Sequence, residues 1–128
     1  MVVRRRVGPD GLTDEQAERR SQVLAGYAVV TNLKTDRGLI EWAESRGLYL
    51  YIGRRDRFGR WAQSPWHNPY RIGRHGTRDE VCDKCRAYLM SNAELMERLP
   101  ETVGKVLGCW CYPQRCHGME ILQLQKNQ

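Results

Sequence analysis

The sequence has 128 residues, a net charge of +6 and a hydrophobic content of 41%, which predicts one domain with its own apolar core. It contains no run of about eighteen apolar residues, which excludes a membrane-spanning helix, and no apolar secretory stretch follows the arginines near its start. An odd number of cysteines, five, without an export signal favours free thiols or metal ligands in a cytoplasmic protein over disulfides.

Residues 1–12 are basic and contain two glycines and a proline, so we expect a flexible basic arm there, followed by a single α/β domain at residues 13–128. Thr13 and Gln16 form a capping-box pattern, which predicts a first helix from Thr13 to about Leu24. Its face is only weakly apolar, which predicts loose packing or contact with a partner. The apolar patterns that follow predict a strand at 27–33, a short helix at 39–46 and a second strand at 48–52.

The segment after the second strand, residues 55–76, is long, aromatic and strongly basic. Residues 53–86 contain nine Lys or Arg against four Asp or Glu, and eight of the nine are arginines. Arginine suits phosphate and carboxylate groups because its guanidinium is planar and carries several donors. A loop of this length in a small domain is usually functional, so the pattern predicts a phosphate-bearing ligand. The alternatives are a solvated basic loop and aromatic side chains that only cover the core.

Thr77 and Glu80 form a second capping box, which predicts a helix from Thr77 to about Leu89 with one apolar stripe. The remaining patterns predict a short helix up to residue 99, a third strand at 105–109 and a last helix up to about residue 126. This alternation predicts an α/β fold: a small single-domain, three-layer structure with a short, mostly parallel sheet.

Three of the five cysteines and a histidine lie within nine residues, at the end of the third strand and the start of the last helix. Strand periodicity should bring Cys109 and Cys111 to one side, with Trp110 turned into the core. Together with Cys116 and His117 they could supply four ligands to zinc, with Cys82 and Cys85 on the preceding helix as alternative ligands. In a second interpretation Cys116 and His117 are catalytic, because a helix N-terminus lowers the pKa of a cysteine, and His67 or His75 is an equally plausible partner for this thiol. In a third, the cysteines are only small buried core residues.

Five short motifs occur in a recognisable order. They are Val30-Thr31-Asn32-Leu33, Tyr51-Ile52-Gly53-Arg54, Trp66-His67-Asn68-Pro69-Tyr70, Thr77-Arg78-Asp79-Glu80-Val81 and Cys109-Trp110-Cys111-Tyr112-Pro113 followed by Cys116-His117-Gly118. Across about residues 28–124 they resemble domain-of-unknown-function family 4326, found in bacteria and their phages. The family usually has Gly in place of His67 and an aromatic residue near Cys85, so it supports no function for His67, Cys82 or Cys85. The resemblance implies a site but no activity, and a phage origin would place the protein in the host cytoplasm.

A parallel sheet predicts one ligand site, at the carboxyl ends of its strands. Its ligand-binding residues are expected to be Gly53, Arg54, Trp66, Asn68, Thr77 and Arg78. Arg54 and Arg78 should converge on one anion, which predicts binding of a nucleotide or other phosphorylated small molecule and leaves enzymatic activity on it open. The alternative is a non-catalytic module that binds nucleic acid or a host protein, with a structural zinc or buried cysteines. Arginines around a concave pocket would favour the first function, and arginines spread over an open face the second.

Overall fold

Helices and strands alternate along residues 7–127, the part of the chain that the computed structural model describes. The elements are α1 (Asp14–Leu24), β1 (Val29–Asn32), α2 (Arg37–Ser45), β2 (Tyr49–Tyr51), α3 (Arg78–Ser91), α4 (Ala93–Glu97), a 3₁₀ helix (Leu99–Thr102), β3 (Val106–Cys109) and α5 (His117–Lys126). None of the helices in this range is long and apolar enough to cross a membrane. Half of the predicted arm, residues 1–6, lies outside the described residues; Leu12, at its other end, is buried.

The three strands form one parallel sheet in the order β1-β3-β2. The last strand in the sequence is therefore the central one, and Leu107 pairs with Val30 on one side and Leu50 on the other. All three strands end at the same edge of the sheet. The predicted α/β fold with a short parallel sheet is confirmed.

Helices cover both faces of this sheet, and strand alternation decides which residues meet which helices. Val29 and Val106 point to one face, where they pack with residues of α1 and α2. The next residues along the same strands, Val30 and Leu107, point to the other face and pack with residues of α3, α4 and α5. This alternation follows from the two-residue period of a strand and produces three layers.

Two helices begin where capping boxes predict them. The Thr13 hydroxyl accepts a hydrogen bond from the backbone N–H of Gln16, and the Gln16 side chain accepts one from the N–H of Thr13. Thr77 and Glu80 make the same reciprocal pair at the start of α3. Each pair satisfies two N–H groups that have no partner inside the helix.

The weakly apolar face of α1 carries a buried ion pair. Arg19 is 5% exposed and donates to both carboxylate oxygens of Asp36, at 2.7 and 2.9 Å, and to the carbonyl of Val30 at 2.9 Å. Asp36 also accepts from the backbone N–H of Asn32 and from the side chain of Gln16. Although burial alone would raise it, these donors keep the pKa of Asp36 below its usual value. The helix is thus fixed to the turn after β1 by polar contacts.

The long loop between β2 and α3 is tied to the core at several points. Trp66 is 1% exposed and belongs to the core on the α3 and α5 side of the sheet. Asn68 donates to the carbonyl of Val81 at 3.2 Å, while its side-chain oxygen accepts from the N–H of Tyr70 at 2.9 Å. Arg54 donates to the carbonyls of Asn68 at 2.6 Å and Tyr70 at 2.7 Å. These contacts hold the loop against the carboxyl edge of the sheet.

Candidate functional site

A cavity of about 710 Å³ opens at the carboxyl ends of β2 and β3, next to the first turns of α3 and α5. This is the edge of a parallel sheet at which ligands usually bind, and the volume lies in the usual range for small-molecule sites. Its polar lining comes from five parts of the chain: Lys34 after β1, Gly53 to Arg57 after β2, Asn68 to Arg71 in the long loop, Arg78 and Cys82 on α3, and Cys109, Cys111, Arg115, Cys116 and His117 around the β3–α5 turn.

The structure brings most of the predicted site residues to this cavity. They are Gly53, Arg54, Asn68, Arg78, Cys109, Cys111, Cys116 and His117. Two others lie elsewhere. Trp66 is buried in the core, and Thr77 is an exposed cap whose hydroxyl is bonded to the N–H of Glu80.

The need for a glycine at position 53 is explained by packing inside the protein. A Cβ atom at this position would come within 2.5 Å of the hydroxyl of Tyr51. That hydroxyl donates to the carbonyl of Arg54, so the phenol fills the space that a side chain would need. The glycine therefore allows close approach, but the group that approaches is the neighbouring tyrosine and not a ligand.

The cavity is strongly cationic. Seven lysines and arginines line it, against the single carboxylate of Asp56: Lys34, Arg54, Arg55, Arg57, Arg71, Arg78 and Arg115. Arg115 is neutralised by Asp79 at 3.0 Å, Asp83 at 2.7 Å and Glu120 at 2.9 Å. None of the other six makes an ion pair within residues 7–127. An excess of positive charge therefore faces the cavity.

Arg54 and Arg78 both contribute to this excess, and each also holds backbone in place. Arg54 is bonded to two loop carbonyls, and its pKa is lowered by burial and by the positive charge of Arg71. Arg78 donates to the carbonyl of Arg115 at 3.1 Å. Several guanidinium groups that line one cavity without a carboxylate partner make a favourable environment for an anion.

All five cysteines are thiols, and three of them, Cys109, Cys111 and Cys116, are close enough beside the cavity to shift one another's pKa. Cys111 acts to lower the pKa of Cys109, but Cys116 and burial together raise it to about 12. The pKa of Cys111 is also raised, by the neighbouring Cys109 and by burial. Both thiols therefore stay protonated at neutral pH.

Cys116 is the exception among the three. It is the N-cap residue of α5, and its pKa is lowered, first by the hydrogen bond from Cys109 and then by the N–H groups of Met119 and Gly118, against the effect of burial. Its side chain makes no capping hydrogen bond of ordinary geometry, so these N–H groups act on the sulfur mainly through their charge. Cys116 is thus the cysteine of the cluster whose surroundings favour the thiolate.

His117 is buried and already engaged. Its Nε2 lies 2.6 Å from the carbonyl of Ile52, and a carbonyl only accepts, so Nε2 carries the proton. Burial, with smaller contributions from Arg54 and His67, lowers the pKa of His117 to about 4, although the bond to Ile52 acts against this. The ring is therefore neutral at pH 7, and its lone pair is on Nδ1.

The zinc interpretation meets a geometric difficulty. Within residues 7–127 no three His, Cys, Asp or Glu side chains are arranged to hold one metal ion. The Nε2 of His117 donates to Ile52, so Nδ1, which keeps its lone pair, is the nitrogen of this ring that could bind a metal ion. The thiols of Cys109 and Cys111 are protonated, and each would have to lose its proton before it could bind such an ion.

Aromatic residues beside the cavity were not identified from the sequence as parts of the site. Trp110 is 43% exposed, so the prediction that it points into the core is wrong. The reason is that β3 ends at Cys109, and Trp110 lies beyond the last paired residues of the sheet. Phe58 is 85% exposed and also lines the cavity. The alternation of arginine and aromatic residues in the loop was the available signal, but it pointed equally to Trp66.

Residues 31–127 match a family described as a domain of unknown function, DUF4326. The uncharacterized protein R718 of Acanthamoeba polyphaga mimivirus is 37% identical over 87 aligned residues, which cover 60% of this chain and 66% of that relative. The chain thus matches slightly less than two thirds of the viral protein. No solved structure matches. The family resemblance noted in the sequence is confirmed, and every residue that lines the cavity lies inside the matched range.

Proposed function

The chain belongs to the DUF4326 family, and we propose that it binds a nucleotide or another phosphorylated small molecule in the cationic cavity. The observation that carries the proposal is the charge of the lining: six lysines and arginines that make no ion pair within residues 7–127, against the single carboxylate of Asp56. Such a concentration of like charge is unfavourable unless an anion compensates it. A phosphate group supplies the charge and several acceptors that suit a planar guanidinium.

The concave shape of the site favours a small ligand over a long nucleic acid. Of the ten arginines between residues 54 and 115, six line one cavity: Arg54, Arg55, Arg57, Arg71, Arg78 and Arg115. A module that binds duplex nucleic acid would instead present its cations along an open face, because phosphates are spaced regularly along the ligand. Binding of nucleic acid is therefore the alternative result that the titration experiment must exclude.

We further propose Cys116 as the reactive group of the site if the bound ligand is transformed. It lines the same cavity and has a lowered pKa, and a thiolate is a much better nucleophile than a thiol. His117 is an unsuitable general acid at pH 7, because its buried ring is neutral. Its expected contribution is to hold the turn between β3 and α5 against Ile52.

Isothermal titration calorimetry with tripolyphosphate tests the binding proposal. Arg71 is the best residue to change, because it is exposed and makes no ion pair among the described residues. Arg71→Gln should weaken binding about tenfold or more, as expected for the loss of a charge-assisted hydrogen bond of about 1.5–3 kcal/mol. Arg74→Gln is the matched control: it removes the same charge from an exposed position in the same loop that does not line the cavity.

Comparison of the two variants distinguishes a specific binding site from non-specific electrostatic attraction. If Arg71→Gln and Arg74→Gln weakened tripolyphosphate binding equally, the result would indicate only attraction to a positively charged surface. If the unchanged protein did not bind tripolyphosphate, the proposal would be refuted. Much tighter binding of a double-stranded oligonucleotide, with a steep dependence on salt, would move the function to nucleic-acid recognition. Arg54→Ala and Arg78→Ala should also weaken anion binding, but both remove backbone contacts, so their stability must be measured alongside.

A further inference from the structure

A second, smaller depression adjoins the cationic cavity. It has a volume of about 450 Å³ and shares four lining residues with the cavity: Lys34, Asp56, Phe58 and Trp110. Its remaining walls include Trp61, Arg37 and Arg60. The two depressions are therefore two parts of one continuous surface, and two of the four side chains at their common border are aromatic.

The aromatic side chains at this border are unusually exposed. Phe58 is 85% exposed and Trp110 is 43% exposed. A single exposed aromatic residue on a protein surface needs no explanation. Here two of them line the same pair of depressions, beside cations that have no carboxylate partner. That combination suits a ligand that carries both a negative charge and a flat apolar ring.

The aromatic wall is built on the end of β2 and does not depend on the ligand for its position. Trp61 stacks on Tyr51 with ring centres 5.4 Å apart, and the indole N–H of Trp110 donates to the Tyr51 hydroxyl at 3.3 Å. The guanidinium of Arg60 lies 5.2 Å from the centre of the Trp61 ring. These contacts fix two indoles before any ligand binds, which reduces the entropy lost on binding.

We propose that the smaller depression is a nucleobase subsite, so that the ligand is a nucleotide and not merely a phosphorylated metabolite. This inference rests on the proposed function, because it places the phosphates in the cationic cavity. The base then packs against Phe58 and Trp110, where stacking tolerates any base because each has a flat π-face. Arg57 lies 5.5 Å from the centre of the Phe58 ring and adds positive charge between the two parts of the surface.

The experiment compares two probes of equal phosphate content, ATP and tripolyphosphate, by isothermal titration calorimetry. The unchanged protein should bind ATP at least about tenfold more tightly than tripolyphosphate. Phe58→Ala should weaken ATP binding by about fivefold to a hundredfold, which corresponds to the usual contribution of one stacked base. Although Phe58 also borders the cationic cavity, the same change should weaken tripolyphosphate binding by less than about twofold, because a phenyl ring offers a phosphate neither charge nor a hydrogen bond. Phe58→Tyr should restore the affinity for ATP.

The controls make failure of the subsite distinguishable from failure of the anion site. Phe58 is almost fully exposed, so removal of its side chain should not unfold the protein. Tyr27→Ala is the matched control, because it removes another aromatic side chain, 69% exposed, that lines neither depression. Equal affinities for ATP and tripolyphosphate, unaffected by Phe58→Ala, would overturn the nucleobase subsite and leave the phosphate site intact. Absence of binding by both probes would overturn the proposed function and the subsite with it.

Discussion

The buried histidine of the site should make the protein sensitive to mild acid. His117 has a pKa of about 4 in the folded protein, against 6.5 for an ordinary histidine. When pH falls below 6.5 the unfolded chain takes up a proton at this position and the folded chain does not. Folding stability is therefore complete above about pH 6.5 and is lost progressively as pH falls towards 4.

The size of this loss follows from the two pKa values. A difference of one pKa unit corresponds to about 1.4 kcal/mol. For a group that moves from 6.5 to about 4, the free energy of unfolding at pH 4 should be about 3 kcal/mol lower than at pH 7 from this residue alone. A loss of this size is a large fraction of the stability of a small domain.

Urea denaturation at pH 7, 6, 5 and 4 measures the effect, with His117→Gln as the reference. Glutamine can keep a donor near the Ile52 carbonyl but does not titrate, and the carboxylates that also titrate in this range are common to both proteins. The stability advantage of the unchanged protein over the variant should shrink by about 3 kcal/mol between pH 7 and pH 4. A constant difference across the range would refute the view that His117 is buried and neutral.

Three other measurements probe the thiols, the ion pair and the metal question. Iodoacetamide near pH 7 should modify Cys116 before the more exposed Cys111, because the pKa of Cys116 is lowered and that of Cys111 raised; peptide mass spectrometry that finds Cys111 labelled first would contradict this. Arg19→Ala should lower the free energy of unfolding, measured by urea denaturation, by about 3–5 kcal/mol, since Asp36 would be left buried without its ion-pair partner. A loss below about 1 kcal/mol would contradict the presence of a buried Arg19–Asp36 ion pair. Elemental analysis should find no stoichiometric zinc, and a chelator should not change the melting temperature, because no three His, Cys, Asp or Glu side chains of residues 7–127 are arranged to hold one metal ion. One zinc per chain would show that the turn between β3 and α5 rearranges around a metal.

Local patterns predicted the helix starts and the sheet well. The capping boxes at Thr13 and Thr77 depend on residues only three positions apart, so the sequence contains the whole interaction. The alternation along β1 and β3 likewise depends on neighbouring residues. The fold class also predicted a ligand site at the carboxyl edge, because parallel strands must end together, and the cationic cavity lies at that edge.

Long-range contacts were less predictable, and they decide which side chains reach the site. Arg19 and Asp36 are seventeen residues apart and belong to no common motif, so nothing local indicated that they form a buried pair. Trp66 and Trp61 occur in the same basic loop, yet only the first is fully buried. The difference in burial between the two tryptophans depends on the hydrogen bond by which Asn68 ties the loop to α3. The sequence pattern gives no indication of this contact.

The chemistry of the site depends on one consequence of its topology. Because all three strands run parallel, the helices that follow β2 and β3 both begin at the carboxyl edge, and the positive ends of α3 and α5 lie beside the same cavity. The arginines of the loop add to a potential that the backbone already creates. Of the three clustered thiols, Cys116 is the one whose pKa is lowered, by the neighbouring Cys109 and by the N–H groups at the start of α5. If the proposed phosphate ligand binds in this cavity, it and an ionised Cys116 would compete for the same positive charge, so ligand binding and ionisation of this thiol should oppose each other.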